Sequence, residues 1–139
     1  ARACYYAEKD PRLAHYLTEG RAFGPHGQDL VIADSLEHYN DELSRELTRK
    51  TVTCNLAVRE LGYKPYIAPA LSSAAISILL TLRGAWHYGS LYLGDEKEGA
   101  FLGMKNRLTE KGFEYEDAAL CPELYDRIRH AYLNLCRMK

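Results

Sequence analysis

Gly24-Pro25-His26-Gly27-Gln28-Asp29 lies between two short stretches with strand character, residues 18–23 and 29–33. Its reading decides how the chain folds. Glycine reaches backbone conformations closed to other residues, so two of them around one histidine predict a sharp turn that can approach a ligand closely. The flanking stretches then pair as two strands joined by this loop. Histidine is the side chain whose ordinary pKa suits proton transfer near neutrality, which makes His26 a candidate acid–base residue. Arg2 precedes it by 24 positions on an expected helix, and its fork of donors suits a carboxylate held bidentately.

Working outward, residues 1–8 are helix formers with no capping residue in front of them, as in a helix cut partway along. Asp10-Pro11 reads as a turn. Asp34-Ser35 offers a cap, and behind it Leu43, Leu47, Cys54, Val58 and Leu61 recur at helical steps, ending at Gly62. The two prolines in residues 63–69 predict non-helical backbone there. Residues 70–82 follow as a second, largely apolar helix, read as a buried core element. A hairpin is expected from residues 86–93 and 100–104, with the polar turn 94–99 between them. A third strand over 113–116 alternates apolar and acidic residues. Pro122 opens a C-terminal helix whose inward stripe is Leu124, Ile128, Ala131 and Leu135. The fold class predicted is α+β, an antiparallel sheet packed by long helices.

Composition narrows the function classes. With 139 residues the chain suits a single domain spanning 1–139, since domains run to roughly 100–200 residues. Its 18 basic and 19 acidic residues leave a net charge of −1, no field to attract nucleic acid or an anionic membrane. The longest apolar run, near residues 74–82, is too short to span a bilayer, which takes about 20 residues. Cys4, Cys54, Cys121 and Cys136 lack the paired spacing of a zinc site and read as buried free thiols in a reduced, cytoplasmic setting. Residues 1–20 lack the basic-then-apolar pattern of a signal peptide, so none is expected among them. His15, His38, His87 and His130 have no ligand spacing and read as structural or surface residues, so no metal site is expected. Glu42, Arg45, Glu46 and Arg49 are neighbours on one solvated helix face.

The order of these parts resembles the C-terminal, substrate-binding domain of the lactate and malate dehydrogenase family. Gly24-Pro25-His26-Gly27-Gln28-Asp29 stands where that family carries Gly-Glu-His-Gly-Asp with its proton-transfer histidine. Ala1-Arg2 stands for the end of its Asp-x-x-Arg motif, whose arginine binds the substrate carboxylate. Residues 66–70, 88–93, 101–103 and 108–112 match the stations of the family's later helix, hairpin and strand, so the likeness runs along the whole chain. The resemblance implies His26 as catalytic residue and Arg2 as substrate ligand. Lys64-Pro65 falls where family members place small or hydroxyl residues near the substrate, which puts both in the substrate-binding set. NAD is the implied cofactor, a small carboxylate the implied substrate, and a homo-oligomer the implied assembly.

Three departures shape that expectation. The aspartate that orients the family's histidine falls just before residue 1. Pro25 replaces the usual acid, and is expected to hold Gly24 extended. No Gly-x-Gly-x-x-Gly fingerprint or parallel βαβ pattern occurs, so no Rossmann domain is expected in this chain. The expectation is therefore a fragment of a longer protein: the substrate-binding half of an NAD-dependent 2-hydroxy-acid dehydrogenase, inactive without a separate dinucleotide-binding domain. An alternative from another class is a descendant that keeps the fold as a binding or oligomerisation module. A further one, prompted by Cys4 and His26, is a relative of the NAD- and metal-dependent family 4 glycosidases, which hold a divalent metal with a cysteine and a histidine.

Overall fold

A computed structural model describes residues 2–63 and 68–138, the side chains of 68–73 excepted. The chain runs through α1 (Arg2–Lys9), a 3-10 turn (Pro11–Leu13), α2 (Tyr16–Glu19), β1 (Arg21–Phe23), β2 (Val31–Ala33), α3 (Asp41–Glu60), α4 (Ala68–Leu82), β3 (His87–Gly94), β4 (Gly99–Thr109), β5 (Gly112–Tyr115) and α5 (Pro122–Arg137). Both sheets are antiparallel, β1-β2 and β3-β4-β5. This is the α+β architecture expected, with the sheet divided in two.

The short strand β2 is buried on both faces because it is the wall between two cores. Ile32 packs with Ala3, Ala7, Leu13, Tyr16 and Leu47 on the side of α1 and α3. Val31 and Ala33 point the other way, onto Leu102 and the α5 stripe of Leu124, Ile128 and Ala131. A strand's alternation thus serves two layers at once. The two sheets are joined where Gly24 N–H donates to Gly103 O at 2.9 Å. A Cβ on Gly103 would lie 2.6 Å from the Gly24 carbonyl oxygen, so that crossing needs glycine. Arg21, at the start of β1, is bound by Glu116 just beyond β5, which fastens the base of the loop to the larger sheet.

Several local expectations are corrected. Residues 18–23 are not all strand: α2 ends at Glu19, and the Tyr16 ring packs so closely on Gly20 that a Cβ there would overlap it. The α3 cap is Asn40, whose side chain accepts the Leu43 N–H at 3.0 Å. Asp34 and Ser35 are instead buried and bonded elsewhere. Gly24 is not extended before Pro25 but takes φ of +90°. Proline does not exclude helix over residues 68–69, because Pro69 sits in the first turn of α4, where its missing N–H leaves no bond unmade. The four cysteines are half-buried.

The largest correction concerns α4. It was expected in the core, yet Ile76, Ile78, Leu79 and Leu82 are all more than half exposed, Leu82 at 76%. Leu61, expected on the inner face of α3, is equally exposed at 76%. Apolar periodicity identifies a helix but not what covers it. The third strand is half-buried by its acidic side: Phe113 and Tyr115 are exposed, while Glu114 and Glu116 are held by Arg107 and by Arg21 with Lys105.

Candidate active site

The site is built by the turn between β1 and β2. Gly24, at φ +90°, would bring a Cβ within 2.7 Å of the Asp29 carbonyl oxygen, so the two ends of the turn meet only because the residue is glycine. Gly27 has φ of +116°, and its carbonyl accepts the Leu30 N–H at 3.1 Å, closing the turn. His26 is carried at the tip between these glycines, exposed and with no hydrogen-bond partner for its ring among the described residues. Asp29, on the returning limb, accepts from the Asn134 side-chain amide of α5 at 3.2 Å. The tip is free and its limbs are fixed.

Arg2 lies in the first turn of α1, half-buried. The Tyr6 phenol, one turn on, is held above its usual range by its hydrogen bond to Cys54 and by burial, with the Arg2 charge pulling the other way. No hydrogen bond or ion pair among the described residues joins Arg2 to His26. Lys64 and Pro65 lie outside the described residues.

A second histidine does have the orienting carboxylate that His26 lacks. His15 Nε2 lies 3.0 Å from Asp34 Oδ2, and Asp34 is fully buried at the end of β2. The other oxygen of Asp34 accepts the Asn40 N–H at 3.0 Å. Beside it, Ser35 donates to Glu19 at 2.8 Å. Sequence reading missed this pair because His15 and Asp34 share no helical or strand spacing; β1 and its return strand bring them together. The available signal was an acid directly after the apolar stretch 30–33, and Asp34 resembled a helix cap too closely for it to be read.

Electrostatics below the loop are strong. The Arg21 guanidinium, and then Lys105, hold the Glu116 carboxyl at about 2 against an ordinary 4.5, burial opposing them. The Tyr16 phenol is pushed up, chiefly by burial. Among the described residues no group of three His, Cys, Asp or Glu side chains converges as a metal site, and Cys4 packs against the first core cluster. No described helix is long and apolar enough to cross a membrane.

No known family's sequence profile matches the chain, and neither does any curated protein. Solved structures do resemble it. Malate dehydrogenase from Aeropyrum pernix superposes with a TM-score of 0.63 at 17% identity, over 96% of this chain and 50% of that one. Malate dehydrogenase from Archaeoglobus fulgidus, solved in complex with NADH, superposes with a TM-score of 0.61 at 18% identity, over 93% of this chain and 48% of that one. The chain therefore spans about half the length of each enzyme, and its fold is lactate/malate dehydrogenase-like.

Proposed function

We propose that this chain is the substrate-binding and catalytic half of a dehydrogenase acting on a small 2-hydroxy acid, working with a separate NAD-binding unit. The observation that carries the reading is the glycine-framed His26 turn, standing in a fold that matches half of a malate dehydrogenase. His26 takes the hydroxyl proton of the substrate, and Arg2 grips its carboxylate. Lys64 and Pro65, outside the described residues, join the substrate-binding set on the sequence resemblance alone. NAD comes to this reading from the NADH-bound neighbour.

The described residues do not themselves fit a dinucleotide. Both sheets are antiparallel, and no glycine-rich turn leads from a parallel strand into a helix to cradle a pyrophosphate. The cofactor is therefore to be held by the other unit, and this chain contributes the proton acceptor and the carboxylate ligand. The exposed apolar residues of α4 support a partner of that kind, since a patch of Ile76, Ile78, Leu79 and Leu82 is costly to leave in water. A homo-oligomer, which the long helices favour, and a cytoplasmic setting complete the proposal.

The experiment is an NAD-linked assay with malate and lactate. The chain alone should not turn over, whereas its complex with the dinucleotide-binding unit should. In that complex His26→Ala should lower kcat by at least about 100-fold, the usual worth of a proton-transfer group. Arg2→Ala should chiefly raise KM. Turnover by the chain alone, or wild-type kinetics in both variants, rejects the assignment. One observation favours a second reading, a module that keeps the fold without the chemistry: among the described residues His26 has no carboxylate to set its tautomer, whereas His15 has one. Wild-type assembly with no turnover in the complex would select that reading.

A further inference from the structure

Between α3 and α5, an open cleft of about 520 Å³ starts at Gln28 and takes neither His26 nor Arg2 into its walls. That volume is in the range of small-molecule sites, roughly 300–1,000 Å³. Three arginines line it, Arg45 and Arg49 from α3 and Arg127 from α5. The acid in the wall, Asp29, is already engaged by Asn134.

Arg127 shows how the charge is arranged. Its side chain is only 11% exposed, and its contacts are the neutral oxygens of Tyr39 and Ser44, both at 2.7 Å, and of Thr48 at 3.3 Å. The nearest carboxylate is Asp41 at 3.7 Å, and Asp41 is itself held by Arg45 at 2.5 Å. One aspartate thus serves two guanidiniums. Arg49 has no acidic partner among the described residues. Its neighbour Glu46, one turn back on α3, is committed to Lys50 at 2.6 Å and Arg12 at 3.1 Å. Three guanidiniums therefore line an open cleft, two of them sharing Asp41, while Arg49 is exposed with no carboxylate in ion-pair distance among the described residues. A partly buried guanidinium fixed by neutral hydroxyls presents its charge in a set direction at low ordering cost, as a recognition site requires.

We infer that the cleft is a binding site for a small oxyanion carrying two or more negative charges, a phosphate ester or a polycarboxylate, distinct from the His26 turn. Such a ligand supplies the fork-matched oxygens that paired arginines bind bidentately. Because Gln28 to Val31 form one wall, occupancy would also register on the limb that carries His26.

The test is a titration of the chain with pyrophosphate and, separately, with citrate, followed by backbone amide NMR at ionic strength matched with sodium chloride. Saturable shifts at residues 28–31 and along the facing sides of α3 and α5 are expected. Tighter binding of pyrophosphate identifies the natural ligand as a phosphate ester, and tighter binding of citrate a polycarboxylate. Arg49→Gln should weaken the tighter probe by about tenfold, the loss of one charge-assisted pair. Arg83→Gln, just beyond α4 and away from the cleft, should leave it unchanged. Shifts that do not saturate and match those from sodium chloride overturn the proposal. So does an affinity unchanged in both Arg49→Gln and Arg45→Gln.

Discussion

His15 and His26 stand on either side of β1, and the fold treats them in opposite ways. His15 is half-buried and bound to a carboxylate with no solvent exposure. His26 is exposed at the tip of a turn whose two limbs are clamped while the ring itself is not. The contrast separates two requirements that active-site histidines usually combine. A carboxylate partner orients the ring and fixes its tautomer; an exposed tip gives access to substrate. Here the first belongs to a structural residue and the second to the candidate catalytic one, so on this chain His26 has access without orientation.

The comparison breaks most visibly at Asp34. Replacing Asp34 by alanine leaves the His15 ring and the Asn40 N–H without their buried hydrogen-bond partner, and should cost about 3 kcal/mol of stability in urea unfolding. His26→Ala should stay within about 0.5 kcal/mol, as for an exposed residue without partners. Equal losses would mean that the two histidines are not in different environments.

The glycines of the turn sharpen it further. Gly24→Ala places a Cβ against the Asp29 carbonyl at a backbone conformation that L-residues avoid, and about 2 kcal/mol of destabilisation is expected. Gly27→Ala carries the conformational penalty alone, since nothing lies within 4 Å of its Cβ position, and should cost about 1 kcal/mol. Matching values from thermal unfolding would show that the limbs do not meet as tightly as the close approach requires.

A comparably modest effect is the pH dependence of the clamp beneath the loop. The Glu116 carboxyl has its folded pKa lowered to about 2 from 4.5 by the Arg21 hydrogen bonds. The stabilisation it contributes is complete above the unfolded value and disappears as the pH falls from about 4.5 towards 2. After allowance for solvent screening it should amount to about 1–2 kcal/mol. Urea titrations across that window should show the loss, and Arg21→Ala should flatten it; an unchanged slope in the variant would assign the acid limb to other carboxylates.

Much of the fold was legible in the chain. The strand–turn–strand around His26, the hairpin, the proline-led C-terminal helix and its stripe of Leu124, Ile128 and Ala131 all followed from local rules, because turn chemistry and apolar period act within a few residues. The misreadings were non-local. Asp34 has the composition of a cap but is drawn inward by His15, which no spacing links to it. The α4 helix has the composition of a core element but stands exposed, because apolar character states that a surface must be covered and not by what. Phe113 and Tyr115 turned outward because their acidic neighbours found Arg107, Arg21 and Lys105 on the adjacent elements.

Of the candidate site, sequence by itself determined the turn: glycine at 24 and 27 allows the positive φ values, and the histidine between them is exposed for that reason. It also determined the helix that carries Arg2 and the absence of a glycine fingerprint. Only the tertiary structure decided which histidine receives a carboxylate, which arginines converge on a cleft and which apolar helix is left uncovered. Those outcomes depend on burial and charge compensation between segments far apart in the chain, and the free energy of burying or pairing a group is set by what surrounds it in three dimensions.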